Sequence, residues 1–243
     1  YRKGNTGVPF LTTFDSGKDG PHVMIMALTH GNELCGAISV DWLFKQDVRP
    51  LSGKLTLGFS NWRAYQSFDP QNPFTSRFVD EDINRVWDVA TLEGDRITAE
   101  TERARELRPV IDTVDMLLDI HSMTTFCPPL MICGPLQKGR DLASAIGIPE
   151  YIVSDKGHEA GKRMRDYGAF GIPSLGQNAL LAECGQHWEK AAADVAHDIQ
   201  LRFLGYCGSV ADEFVNSNLC NTSLLHQKMV EVSGPYTIKA NQP

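Results

Sequence analysis

Two short, unbroken apolar runs constrain this chain most: His22 to Leu28 (HVMIMAL) and Asp115 to Ile120 (DMLLDI). A strand with one wet face alternates apolar and polar residues, whereas a strand covered on both faces reads as a continuous apolar run. Leu34, Ala37, Ile38, Trp42 and Leu43 then follow helical spacing, which predicts a helix from Glu33 to about Lys45 with Gly31 and Asn32 in the turn before it. A second, amphipathic helix is predicted from Ile97 to Ile111, leading into the second run. Further strands are expected over Lys54 to Asn61 and near Leu130 to Cys133, Tyr151 to Val153 and Ala179 to Glu183. Further helices are expected near Arg140 to Ile146 and from Trp188 to about Leu204, where Ala191, Val195, Ile199 and Phe203 recur at four-residue steps. Alternating strands and helices imply an α/β fold: a mainly parallel, mixed sheet with helices on both faces.

At 243 residues the chain is long enough for one such core, expected over residues 1–225. Residues 226–243, with the strand-like piece Tyr236 to Lys239, read as a tail or as the start of a truncated C-terminal β domain. A net charge of -7 argues against a nucleic-acid or acidic-membrane surface, which needs clustered Lys and Arg. The six cysteines (Cys35, Cys127, Cys133, Cys184, Cys207, Cys220) are scattered without a CxxC pair, so reduced thiols and a cytoplasmic home are expected. No apolar run approaches the roughly 20 residues of a membrane span, and no basic-then-apolar leader is present. The chain starts at Tyr1 rather than Met, which suggests that an N-terminal piece is missing.

In open α/β sheets ligands collect at the carboxyl ends of strands, where His30, His121 and Glu183 all fall. His30 and Glu33 lie in Thr29-His30-Gly31-Asn32-Glu33 after the first run, and His121 in Asp119-Ile120-His121-Ser122 closes the second. Two imidazoles and one carboxylate are the ligand set of many catalytic zinc ions, with a fourth position for a water whose pKa falls to roughly 7. Taken alone, His30 and Glu33 also fit a surface His and a first-turn carboxylate favoured by the helix dipole. Taken alone, His121 fits a core His hydrogen-bonded by its neighbours. The long polar stretch from Gln66 to Asp82 is predicted to be a functional loop. It supplies Arg77, and Asn84-Arg85 just beyond it can fork a carboxylate. Glu183, ending the strand at Ala179 to Ala182, is the candidate general base, its alternative being a cap on the next helix. His22, His158, His187, His197 and His226 have no partners at ligand spacing and read as surface or helix histidines. Cys184 lacks a base partner, and Trp42 and Trp188 read as packing residues.

This ordered set, His-Gly-Asn-Glu after a strand, Arg then Asn-Arg in a loop, Asp-Ile-His closing a later strand and a late strand-end Glu, resembles the succinylglutamate desuccinylase and aspartoacylase family, a branch of the zinc carboxypeptidase-like fold. The resemblance covers roughly residues 20 to 205. It implies one zinc ion held by His30, Glu33 and His121, with Arg77 polarising the scissile carbonyl. It further implies that Asn84 and Arg85 hold the α-carboxylate of a small N-acyl amino acid and that Glu183 activates the water. An additional substrate-binding Arg is expected between His121 and Glu183, where Arg163 and Arg165 both lie; either could meet an acidic acyl group. Family members commonly continue into a C-terminal β-rich domain that this chain stops short of. The expected activity is zinc-dependent amide hydrolysis, with homo-oligomerisation left open. A metallocarboxypeptidase acting on peptides and a noncatalytic carboxylate-binding relative are the alternatives.

Overall fold

The computed structural model describes residues 1–234, so the strand-like piece at 236–239 lies outside the described residues. The strands are β1 (Leu11–Asp15), β2 (His22–Ala27), β3 (Lys54–Phe59), β4 (Met116–Met123), β5 (Leu130–Ile132), β6 (Tyr151–Ser154), β7 (Asn178–Gln186) and β8 (Lys228–Glu231). Among the described residues they form one eight-stranded sheet in the order β1-β3-β2-β4-β7-β5-β6-β8. Pairing is parallel except at β1 with β3 and β5 with β7. The helices are α1 (Leu34–Lys45), α2 (Trp62–Gln66), α3 (Val89–Glu93), α4 (Ala99–Ile111), α5 (Gln137–Ile146), α6 (Lys190–Tyr206) and α7 (Asp212–Asn218).

β2 explains why its sequence does not alternate. Val23, Ile25 and Ala27 enter a core shared with Val40 and Leu43 of α1 and Ile199 and Phe203 of α6. Met24 and Met26 face the opposite core, with Ala104, Leu107 and Ile111 of α4 and the buried Trp87. Both faces are therefore dry, and period-2 alternation between two apolar layers reads as a single apolar run. α1 lies close on the sheet at Gly36, where an added Cβ would come within 3.0 Å of Ala27 and Ile120 side chains.

Element ends differ from expectation for local reasons. α4 starts at Ala99 rather than Ile97 because Thr98 caps it, accepting from the Thr101 amide in a reciprocal pair, and Ile97 is exposed. β3 stops at Phe59 because Asn61 caps α2, a single turn without its own apolar stripe. α6 begins two residues after Trp188, which is part-exposed and meets Phe74 edge-on at 5.2 Å. β8, within the expected tail, adds an edge strand parallel to β6.

Candidate metal centre and active site

β2 ends where Leu28 takes a left-handed φ of 54°, and the chain leaves the sheet as Thr29 to Glu33. Gly31 is required in this turn. A Cβ there would meet the Ser76 carbonyl oxygen at 2.3 Å and Tyr65 N at 2.4 Å, and its own N–H donates to the Arg77 carbonyl at 3.1 Å. The glycine thereby packs the loop that carries Arg77 against the turn that carries His30. Glu33 is the N-terminal cap residue of α1, yet its side chain makes no cap hydrogen bond. Its buried carboxylate turns instead to the two imidazoles: Oε1 lies 2.8 Å from His30 Nδ1 and Oε2 2.9 Å from His121 Nδ1. The Ser122 amide also donates to Oε2 at 3.2 Å.

The far nitrogen of each ring faces another carboxylate. His30 Nε2 is 2.9 Å from Asp82 Oδ1. His121 Nε2 approaches Asp119 Oδ2 to 2.8 Å, off the line of a hydrogen bond, while the other Asp119 oxygen accepts from Thr29 Oγ1 at 2.7 Å. Burial alone would push Glu33 up, but the two imidazoles outweigh it and hold the carboxyl well below its usual range. Burial would likewise lower His121, but Asp119 and Glu33 overcome it and raise the imidazole well above its ordinary value. One donor atom each from His30, Glu33 and His121 lie within 4.8 Å of one another. An N,N,O donor set whose rings are each backed by a second carboxylate fits a zinc-type cation.

Glu183 sits beside His121 because β4 and β7 pair in register there, His121 opposite Glu183. It lies inside β7 and does not cap α6, whose cap residue is Glu189. Its Oε2 is buried without a hydrogen-bond partner, and burial pushes the carboxyl up to about 8. Arg77 donates to Asp82 Oδ2 at 3.1 Å and reaches His30 Nε2 at 3.1 Å and Glu33 Oε1 at 3.5 Å. Asn84 accepts the Met164 amide at 2.8 Å on Oδ1, which fixes its amide orientation and leaves Nδ2 as a donor. Arg85 donates to the Asn84 carbonyl at 2.7 Å and stands 3.7 Å from Asp82.

A cavity of about 320 Å³ is lined by His30, Glu33, His121, Arg77, Asn84, Arg85, Glu183 and Arg163, together with Thr124, Leu181 and others. Arg165 is not on its wall. That side chain is buried, donating to the Cys133 carbonyl at 2.9 Å, and it lines a neighbouring cavity.

Several contributors escaped the sequence. Asp82 was visible only as the residue before Ile83-Asn84-Arg85. Glu100, buried on α4, accepts the amides of Val79, Asp80 and Glu81 at 2.7–3.2 Å and so holds the arginine loop, although a first-turn glutamate ordinarily signals no more than helix polarity. His187, read as a surface or helix histidine, is buried under the site, with Nδ1 2.8 Å from Ser122 Oγ. His22 is also buried, whereas His158 sits on an exposed hairpin that reaches the cavity.

Fold and site together define an α/β protein with a buried His-Glu-His cluster that could hold a metal ion at the carboxyl ends of neighbouring parallel strands. The chain belongs to the succinylglutamate desuccinylase/aspartoacylase family, whose catalytic-domain model matches residues 19–204. Among solved structures it is similar to the product-bound ectoine utilization protein EutE (DoeB) from Ruegeria pomeroyi: TM-score 0.64, 16% identity, 93% of this chain and 66% of that one. The succinylglutamate desuccinylase from Chromobacterium violaceum gives TM-score 0.66 at 17% identity, over 97% of this chain and 75% of that one. A succinylglutamate desuccinylase/aspartoacylase from Rhodobacter sphaeroides gives 0.62 at 19%, over 84% and 60%. At these identities the likeness is one of fold, and this chain spans less than two thirds of the first and third of these proteins. No match is found among curated proteins.

Proposed function

We propose that the chain is a zinc-dependent hydrolase that cleaves the amide bond of a small N-acyl amino acid, releasing a carboxylic acid and the free amino acid. The observation that carries this reading is one cavity bringing the His30–Glu33–His121 donors together with Arg77, Asn84, Arg85 and the unpartnered oxygen of Glu183. His30, Glu33 and His121 would hold the metal, which when bound supplies a Lewis acid for the carbonyl and a lower pKa for water.

The chain's own groups do the rest. Asn84 Nδ2 and the Arg85 guanidinium bind the substrate carboxylate and fix the amide relative to the cavity floor. Arg77 donates to the carbonyl oxygen as negative charge grows on it. Glu183 Oε2 has no partner to give up, and the carboxyl that burial alone raises would ionise beside the bound cation; it then takes a proton from the attacking water and returns it to the leaving nitrogen. At about 320 Å³ the cavity lies near the lower end of the roughly 300–1,000 Å³ typical of small-molecule sites, which suits a small substrate. Six unpaired cysteines suit a reducing, cytoplasmic compartment, and among the described residues no helix is long and apolar enough to cross a membrane.

Glu183→Gln tests the assignment. Turnover of N-acyl amino acids should fall by about 10²–10⁴ with zinc content unchanged; undiminished turnover, or loss of the metal, would contradict the role given to Glu183.

A further inference from the structure

His187 is buried beside the site, yet no step of the proposed hydrolysis passes through it. A break in the sheet brings it there. β4 and β7 pair His121 with Glu183 and Met123 with Gln186, so Cys184 and Gly185 together stand opposite Ser122 alone. Gly185 takes up the extra residue with a positive φ of 111°, and the bulge swings His187, the first residue beyond β7, in beneath Ser122. Its main-chain N–H donates to the Met123 carbonyl at 2.9 Å, while its Nδ1 lies 2.8 Å from Ser122 Oγ and its Nε2 3.3 Å from Thr124 Oγ1. Burial lowers its pKa, and a neutral ring with one N–H and one lone pair can hold a hydroxyl on each side.

Ser122 matters through its peptide group. Its N–H donates to Glu33 Oε2 at 3.2 Å, and the His121 carbonyl at the other end of the same peptide unit accepts from Cys35 Sγ at 3.5 Å. One peptide unit thus joins two of the three candidate metal donors, carrying His121 covalently and Glu33 by a hydrogen bond. A bond from Ser122 Oγ to a ring fixed on the neighbouring strand sets where residue 122 sits, and with it the direction of that N–H. We propose, on the metal-site reading of this same centre, that His187 is a positioning residue: it anchors Ser122 so that the 121–122 peptide keeps His121 and Glu33 together for a metal ion.

Zinc affinity, read by competition with a chelator, tests this apart from turnover. His187→Ala should weaken binding about tenfold, the lower end of what groups behind the metal ligands contribute. Ser122→Ala should weaken it as much, and the two combined no more than either alone, because both remove the same link. His187→Asn places an amide where Nδ1 stands and His187→Gln places one where Nε2 stands. The Asn variant should therefore restore the affinity through Ser122, while the Gln variant, which reaches Thr124 instead, should not; the pair also serves where His187→Ala does not fold. Unchanged affinity in every folded His187 and Ser122 variant overturns the proposal. So does restoration by Gln rather than Asn, or a loss that follows the unfolding midpoint instead of the Asn–Gln split. A wild-type chain that takes up no zinc removes the metal site and this role with it. Zinc bound with the expected dependence on His187, but without hydrolysis of N-acyl amino acids, keeps the role and removes the hydrolase reading.

Discussion

One histidine opens strand β2 and another lies in the turn beyond its carboxyl end, and the two are solved by opposite means. At the amino end, buried His22 meets neutral partners: Nε2 lies 2.7 Å from Thr56 Oγ1, and Nδ1 3.1 Å from the Thr113 carbonyl and hydroxyl oxygens. Burial then lowers its pKa, and the ring is comfortable without charge. At the carboxyl end, His30 lies between Glu33 and Asp82, and across the sheet His121 lies between Glu33 and Asp119. Equally buried rings there are surrounded by carboxylates, an arrangement that calls for a cation. Burial and residue type are shared, so the identity of the partners separates a structural histidine from a candidate ligand.

Variants can break this contrast. Replacing His121 with Ala should have the largest effect, taking both zinc content and hydrolysis to background; a chain that keeps stoichiometric zinc would remove His121 from the ligand set. Asp119→Asn leaves the ring in place but weakens what backs it, so metal affinity, read by competition with a chelator, should fall about 10–100-fold. His22→Gln should do neither. It should lower unfolding free energy by about 1–3 kcal/mol through lost buried hydrogen bonds, with zinc content unchanged. Its pH signature follows from the lowered folded value. Above about pH 6.5 both states are neutral, and as pH falls through that point the unfolded chain binds the proton first, so stability declines until the folded value is passed. Denaturant unfolding across that window should show a shallower slope in His22→Gln.

What the sequence revealed follows the same logic of partners. β2 and β4 were legible because two dry faces leave an apolar run, and α6 because its stripe repeats over 17 residues. β1, Leu11–Asp15, was missed as a half-buried, Thr-rich edge strand, and β8, Lys228–Glu231, is exposed along its whole length and has no apolar face to announce it. The His30, Glu33 and His121 positions could be read because strand ends have sequence signatures. Asp82 and Glu100 could not, since their roles arise from contacts 52 residues away with His30 and 19–21 residues away with the amides of Val79, Asp80 and Glu81. Arg163 and Arg165, two apart in sequence, looked interchangeable. Only their surroundings distinguish the one on the cavity wall from the one buried against the Cys133 carbonyl.

The central claim is that the carboxylate-surrounded histidines hold a zinc ion needed for amide hydrolysis. Metal analysis of the purified chain, paired with release of free amino acid from N-acyl amino acids before chelation, after it and after zinc is restored, tests this most directly. The account predicts about one zinc per chain, for one three-ligand site, and activity that disappears and returns with the metal. A chain that binds no zinc, or one that hydrolyses its substrate equally well without it, would contradict the account.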